Sequence, residues 1–113
     1  METALSMDVD TSDEDLMRQL AAGRPEALGP LHARYASMIH GMAARSLDRA
    51  AAEEISQEVF LAVWRHAASF DPARGTFRAW VAQITHTRVR NELRRRGRRP
   101  RTTPLVPLAV AMR

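Results

Sequence analysis

Leu28, Leu31, Tyr35, Met38, Ile39 and Met42 fall at the i, i+3, i+4, i+7 spacing of one face of an α-helix. That period, with no strand alternation competing anywhere in the chain, limits the fold more than any other feature. It recurs on both sides. Ser12 followed by Asp13, Glu14 and Asp15 supplies a cap and negative charge at a helix N-terminus. Leu16, Met17 and Leu20 give that short helix its apolar stripe, and Gly23 ends it. Pro25 suits the first turn of the second helix, which should run to about residue 47. A third is expected from near Arg49 to about residue 68, with Ile55, Val59, Ala62 and Val63 inward and Phe60, Trp64 and Ala67 widening that face. Asp71-Pro72 and Arg74-Gly75 are turn chemistry, and Thr76 is the expected cap of a fourth helix over about 77–96. Phe77, Trp80, Val81 and Ile84 form its expected buried face, and Gly97 and Pro100 its stop. The expected fold class is all-α, a compact bundle of about four helices over residues 12–100. Residues 1–11 read as a disordered acidic tail and residues 101–113 as a linker or truncated end.

Composition narrows the function. A chain of 113 residues, 45% hydrophobic, holds one core. Cysteine is absent, which excludes disulfides and thiolate chemistry. His32, His40, His66 and His86 make no i, i+4 pair, and five glycines form no phosphate loop. No catalytic residue, metal site or cofactor is expected, and the chain does not read as an enzyme. No apolar run approaches the roughly 20 residues of a membrane span. The N-terminus lacks a basic n-region, so neither membrane nor signal peptide is expected and the default location is cytoplasmic.

Charge is unevenly placed. All 17 basic residues are arginine. Residues 1–58 hold 11 Asp/Glu and 5 Arg, a net of −6, and residues 59–113 hold 2 Asp/Glu and 12 Arg, a net of +10. Eight arginines lie between Arg88 and Arg101, at 88, 90, 94, 95, 96, 98, 99 and 101, with only Glu92 to offset them locally. Such a density on a helix points to a polyanion, with salt-dependent phosphate contacts. Gln83, Thr87, Arg90 and Arg94 share a stripe of roughly 60°, with Asn91 beside it. These side chains suit base edges as well as phosphate. Phe70, Phe77 and Trp80 near the loop end suit either base stacking or the core. On the third helix Glu54, Gln57, Glu58 and Leu61 make an acidic-polar stripe around a leucine, a surface for a basic partner helix or simply a solvated face.

Three segments, in order, resemble region 2 of the sigma-70 family, in particular the extracytoplasmic-function (ECF) sigma factors. Residues 54–64 (EISQEVFLAVW) resemble region 2.2, residues 70–81 (FDPARGTFRAWV) the region 2.3 loop and helix start, and residues 91–96 (NELRRR) the end of region 2.4. The resemblance covers residues 13–99 and implies a module that binds core RNA polymerase and recognises and melts the promoter −10 element. It assigns Glu54, Gln57, Glu58 and Leu61 to the clamp helices of the largest catalytic subunit. It assigns the 70–76 loop, with Phe70, Arg74 and Thr76, to capture of a flipped base of the non-template strand. It assigns Gln83, Thr87, Arg88, Asn91 and Arg94 to −10 DNA, beside Arg90 and Arg95 of the basic segment. An anti-sigma factor on the polymerase-facing stripe is a further partner it implies. His86 and Thr87 stand where family members often carry Arg and Asn, and Asn91 where they carry Asp, which bears on the −10 preference. The family's second domain, region 4, is not expected in this sequence, which reads either as an excised region 2 or as a naturally short protein. On the residues alone an arginine-rich RNA-binding module stays open, as does a scaffold whose arginines serve solubility.

Overall fold

The computed structural model describes residues 11–98. They form four α-helices, α1 (Asp13–Ala21), α2 (Leu28–Ala44), α3 (Arg49–Arg65) and α4 (Phe77–Arg98), with 3-10 turns at Pro25–Ala27, Ala67–Ser69 and Pro72–Arg74. No strand occurs among the described residues. The all-α bundle is as the periodicity predicts. The expected linker at 101–113, and all of the expected acidic tail except Thr11, lie outside the described residues.

Short polar side chains start the helices. Ser12 Oγ accepts from the Asp15 N–H at 3.1 Å, and Thr76 Oγ1 from the Ala79 N–H at 3.1 Å. Asp48 Oδ1 accepts from the Ala51 N–H at 2.8 Å, a cap the sequence reading passed over. Gly23 follows α1 at φ +93°, a conformation costly for any side chain. Pro30 sits in the first turn of α2, where its missing N–H has no intrahelical partner to lose.

Several boundaries differ from expectation. Pro25 opens a 3-10 turn rather than α2 itself, and α2 ends at Ala44, leaving Leu47 buried in the connection to α3. Instead of reaching residue 68, α3 stops at Arg65 and passes through His66 into the Ala67–Ser69 turn. Gly97 does not stop α4, which continues to Arg98. A glycine costs only about 1 kcal/mol against alanine in a helix, which the turns before it can offset.

The short connection 45–48 makes α2 and α3 antiparallel neighbours. Over Phe77–Val89 α4 packs on both, and α1 closes one end against α2 and the Ala67–Ser69 turn. Leu16, Met17, Leu31, Ile39, Val59, Val63, Phe77 and Val81 are fully buried. Each such side chain contributes roughly 1.5–3 kcal/mol of burial free energy.

Two expectations about the core are corrected. Trp64 is 48% exposed rather than part of the apolar face of α3. The inner line of α4 is Phe77, Val81, Thr85 and Val89, with Trp80 and Ile84 only partly buried. Residues four apart drift by about 40° around a helix, so the line in contact with the bundle rolls past Ile84 to Thr85 and Val89. Thr85 is tolerated there because its hydroxyl donates to the Val81 carbonyl at 2.8 Å.

Candidate nucleic-acid interface

With Val81, Thr85 and Val89 turned inward, α4 presents Gln83, Arg90, Asn91 and Arg94 to solvent. Toward α3, the side chains of Trp80, Gln83, Ile84, Thr87 and Arg88 face Ala62, His66 and Ser69 across an open groove of about 390 Å³. A second hollow, also about 390 Å³, lies at the start of α4 between Ser69, Phe70, Asp71, Arg74, Gly75, Thr76, Ala79 and Trp80. Phe70, Arg74 and Thr76 are thus brought together, as are Gln83, Thr87 and Arg88. Ser69 and Trp80 line both spaces.

The loop holding the second hollow is locally fixed. Asp71 Oδ1 accepts from the Ala73 N–H at 3.0 Å, and the Asp71 carbonyl accepts from the Arg74 N–H at 2.9 Å. Gly75 adopts φ +152°, which disfavours a side chain. The Thr76 hydroxyl is occupied as the α4 cap. Behind the loop the Phe70 ring lies 5.3 Å from Trp80 and 6.0 Å from Phe77, and Phe77 lies 5.1 Å edge-on from Tyr35. Phe77 is fully buried and belongs to the core, whereas Phe70 and Trp80 keep exposed surface that can meet a ligand.

This aromatic cluster is tied to α1. The Tyr35 hydroxyl donates to Asp13 Oδ2 at 2.5 Å. Arg34 donates to Asp13 Oδ1 at 2.8 Å and to the Thr11 carbonyl at 2.7 Å. Burial first, then the bond to Asp13, pushes the Tyr35 phenol up to about 12.

The arginines are not equivalent. Glu92 accepts from Arg95 Nε at 3.1 Å and Nη2 at 2.7 Å, and from Arg96 Nε at 2.9 Å. The Arg95 bonds, then that of Arg96, hold the Glu92 carboxyl below the usual carboxylate range. Arg88 Nη1 lies 3.5 Å from Glu58 Oε1 on α3. Among the described residues Arg74, Arg90 and Arg94 have no carboxylate partner, which leaves them the readiest for phosphate.

On α3 the residues Glu54, Gln57, Glu58 and Leu61 are all exposed along one face. Leu61 is 52% exposed and Trp64 joins it one turn on, which the sequence reading missed by counting Trp64 with the core. The i+3 step from Leu61 is the signal that was available. Ser69, which the sequence reading did not name, also lines the loop hollow, beside Asp71 and Gly75 of the expected 70–76 loop and Trp80, which the sequence suits to either base stacking or the core. The stripe also abuts the α4 surface, because Glu58 and Arg88 pair. No helix among the described residues is long and apolar enough to cross a membrane, and no group of His, Asp and Glu there is arranged to hold a metal.

Residues 31–99 match the family description Sigma-70 region 2. The chain belongs to the sigma-70 region 2 family. The ECF RNA polymerase sigma factor SigK of Mycobacterium sp. (strain KMS) is 38% identical over 86 residues, covering 74% of this chain and 45% of the relative. The protein of that name from Mycobacterium tuberculosis (strain CDC 1551 / Oshkosh) is 34% identical over 91 residues, or 80% of this chain and 46% of the relative. That from Mycobacterium ulcerans (strain Agy99) is 34% identical over 80 residues, with 70% and 43% covered. This region 2 chain therefore spans less than half the length of the curated relatives it matches. No solved structure matches it significantly. Together the family match and these relatives identify it as region 2 of an ECF-type sigma factor.

Proposed function

We propose that this region 2 acts in transcription initiation, binding core RNA polymerase through α3 and engaging the non-template strand of a promoter −10 element through α4 and the 70–76 loop. One observation carries the nucleic-acid part: the loop hollow and the α3–α4 groove open side by side and share Ser69 and Trp80. An unstacked base seated between Phe70, Arg74 and Thr76 would leave its neighbour beside Trp80, within reach of Gln83 and Thr87. Unstacking costs a few kcal/mol, which stacking worth about 1–3 kcal/mol per base and edge contacts offset. Arg90, Arg94 and the partly engaged Arg88 and Arg95 supply phosphate contacts, with Asn91 beside them for a base edge.

The polymerase part rests on the exposed Glu54, Gln57, Glu58, Leu61 and Trp64, an apolar anchor rimmed by acids that fits a basic helical partner such as the clamp helices of the largest catalytic subunit. The same surface is open to an anti-sigma factor. Capture of core RNA polymerase by this chain, compared with a Gln57→Ala/Glu58→Ala variant, tests the reading. Capture by the wild type and loss in the variant support it. Absence of capture by the folded wild type, together with preference for unrelated RNA over single-stranded promoter DNA, overturns it in favour of an RNA-binding module.

A further inference from the structure

On the side of α4 away from α3, a second cleft of about 220 Å³ runs between α4 and the end of α2. Met42 of α2 and Arg45 and Ser46 of the connection that follows it line one side, and His86, Val89 and Arg90 of α4 the other. Its chemistry differs from the loop side. It contains no aromatic wall for an unstacked base, and no carboxylate lines it. Arg45 and Arg90 are both exposed and neither pairs with an acid among the described residues. The carboxylate nearest along the chain from Arg45, Asp48, is occupied as the cap of α3. Two guanidinium groups, an imidazole and a hydroxyl around an apolar floor of Met42 and Val89 form a donor set suited to a phosphodiester oxygen.

From this we infer that Arg45, with Arg90, His86 and Ser46, forms a cradle for the backbone of double-stranded DNA flanking the melted stretch. The inference rests on the DNA-binding part of the proposed function and adds the end of α2 and the connection after it to a surface so far confined to α4 and the loop. Position favours duplex over single strand. Arg90 lies thirteen residues beyond Phe77, about 20 Å along the helix axis at 1.5 Å per residue. That distance corresponds to roughly six base steps of duplex at 3.4 Å each. A phosphate held there lies well outside the base or two that the aromatic hollow can accept. The position of Arg45 at the C-terminal end of α2 also suits the helix dipole. That role alone, however, needs no partner across the cleft.

Fluorescence anisotropy over a salt series, with a mixed-sequence DNA duplex and with its single strand, tests the cradle on wild type, Arg45→Ala and Arg45→Lys. Arg45→Ala should weaken duplex binding roughly five- to tenfold near 0.1 M salt and lower the slope of log K against log salt by about 0.9. Single-strand affinity should stay within about twofold and Arg45→Lys should recover most of the duplex loss, since phosphate contact depends mainly on charge. Circular dichroism of Arg45→Ala should match wild type, because Arg45 is exposed and alanine favours a helix end. Unchanged duplex affinity in Arg45→Ala overturns the inference, as does equal loss on both probes. A wild type that binds no duplex does so as well, and an Arg45-dependent preference for duplex RNA overturns the assignment to DNA. Arg45-dependent duplex binding by a chain that captures no polymerase leaves the cradle standing and removes the polymerase part of the proposed function.

Discussion

Two neighbouring arginines on α4 illustrate how little a count of charges says about binding. Arg94 is exposed and without a carboxylate partner among the described residues, whereas Arg95 shares Glu92 with Arg96. Replacing Arg94 by alanine should therefore remove about one phosphate unit, near 0.9, from the salt slope of DNA binding. Arg95→Ala should remove clearly less, because part of its charge is already spent on Glu92. Equal slopes for the two variants would show that the Glu92 pairings do not persist in solution. A second residue-scale consequence concerns Tyr35. The chain has one tyrosine, no cysteine and no lysine, so Tyr35 is the side chain whose titration falls between pH 10 and 12. The unfolded phenol ionises near 10, while the folded one keeps its proton to about 12. The unfolded state thus binds fewer protons in this window, and the stabilisation, complete below pH 10, is lost as pH rises toward 12. The urea midpoint of the wild type should fall across that window and that of Tyr35→Phe should stay flat. A parallel fall in both would detach the effect from Tyr35.

At the level of the helices, α3 and α4 were expected to carry separate duties, but Glu58 and Arg88 join the two surfaces. The pair is about half exposed and contributes at most about 1 kcal/mol to stability, so its importance is for binding. Gln57→Ala should weaken polymerase capture and leave DNA affinity unchanged. Glu58→Gln should weaken capture and, by releasing Arg88, raise DNA affinity about two- to fivefold at low salt. Identical DNA affinities for the two variants would mean that Arg88 is not restrained by Glu58. Much of this arrangement was legible beforehand. The helix period and the Ser12 and Thr76 caps follow from local rules of spacing and hydrogen bonding, and the grouping of Phe70 with Arg74 and Thr76 follows from the family resemblance. What escaped depends on the relation between helices. Whether Trp64 lies under a neighbour is decided by where α4 crosses α3, and neither the Glu58–Arg88 pair nor the Arg45–Arg90 cleft has a signature in sequence separation. The roll of α4 that substitutes Thr85 and Val89 for Ile84 accumulates over about three turns and is invisible in any single one.

Taken as a whole, the molecule places its proposed binding surfaces on a core with little redundancy. Phe77 is fully buried where α4 begins and meets Tyr35 of α2, Phe70 of the loop and Trp80 of the groove. One side chain thus supports both the bundle and the wall of the loop hollow. Removing it to alanine should cost about 3–5 kcal/mol, the usual range for a buried phenylalanine. Domains of this size have about 5–15 kcal/mol in total, so the loss approaches the whole of their stability. Phe77→Leu keeps most of the volume and should cost less than about 1.5 kcal/mol. It removes the ring edges that hold Phe70 and Trp80 in register, so it separates folding from binding. In urea denaturation Phe77→Leu should retain a cooperative transition close to that of the wild type, while binding to single-stranded DNA weakens severalfold and core polymerase capture is preserved. If Phe77→Leu bound single strands as tightly as the wild type, the aromatic wall would be ordered by the Asp71 and Gly75 turn geometry alone. The tie from Asp13 through Tyr35 would then serve stability only.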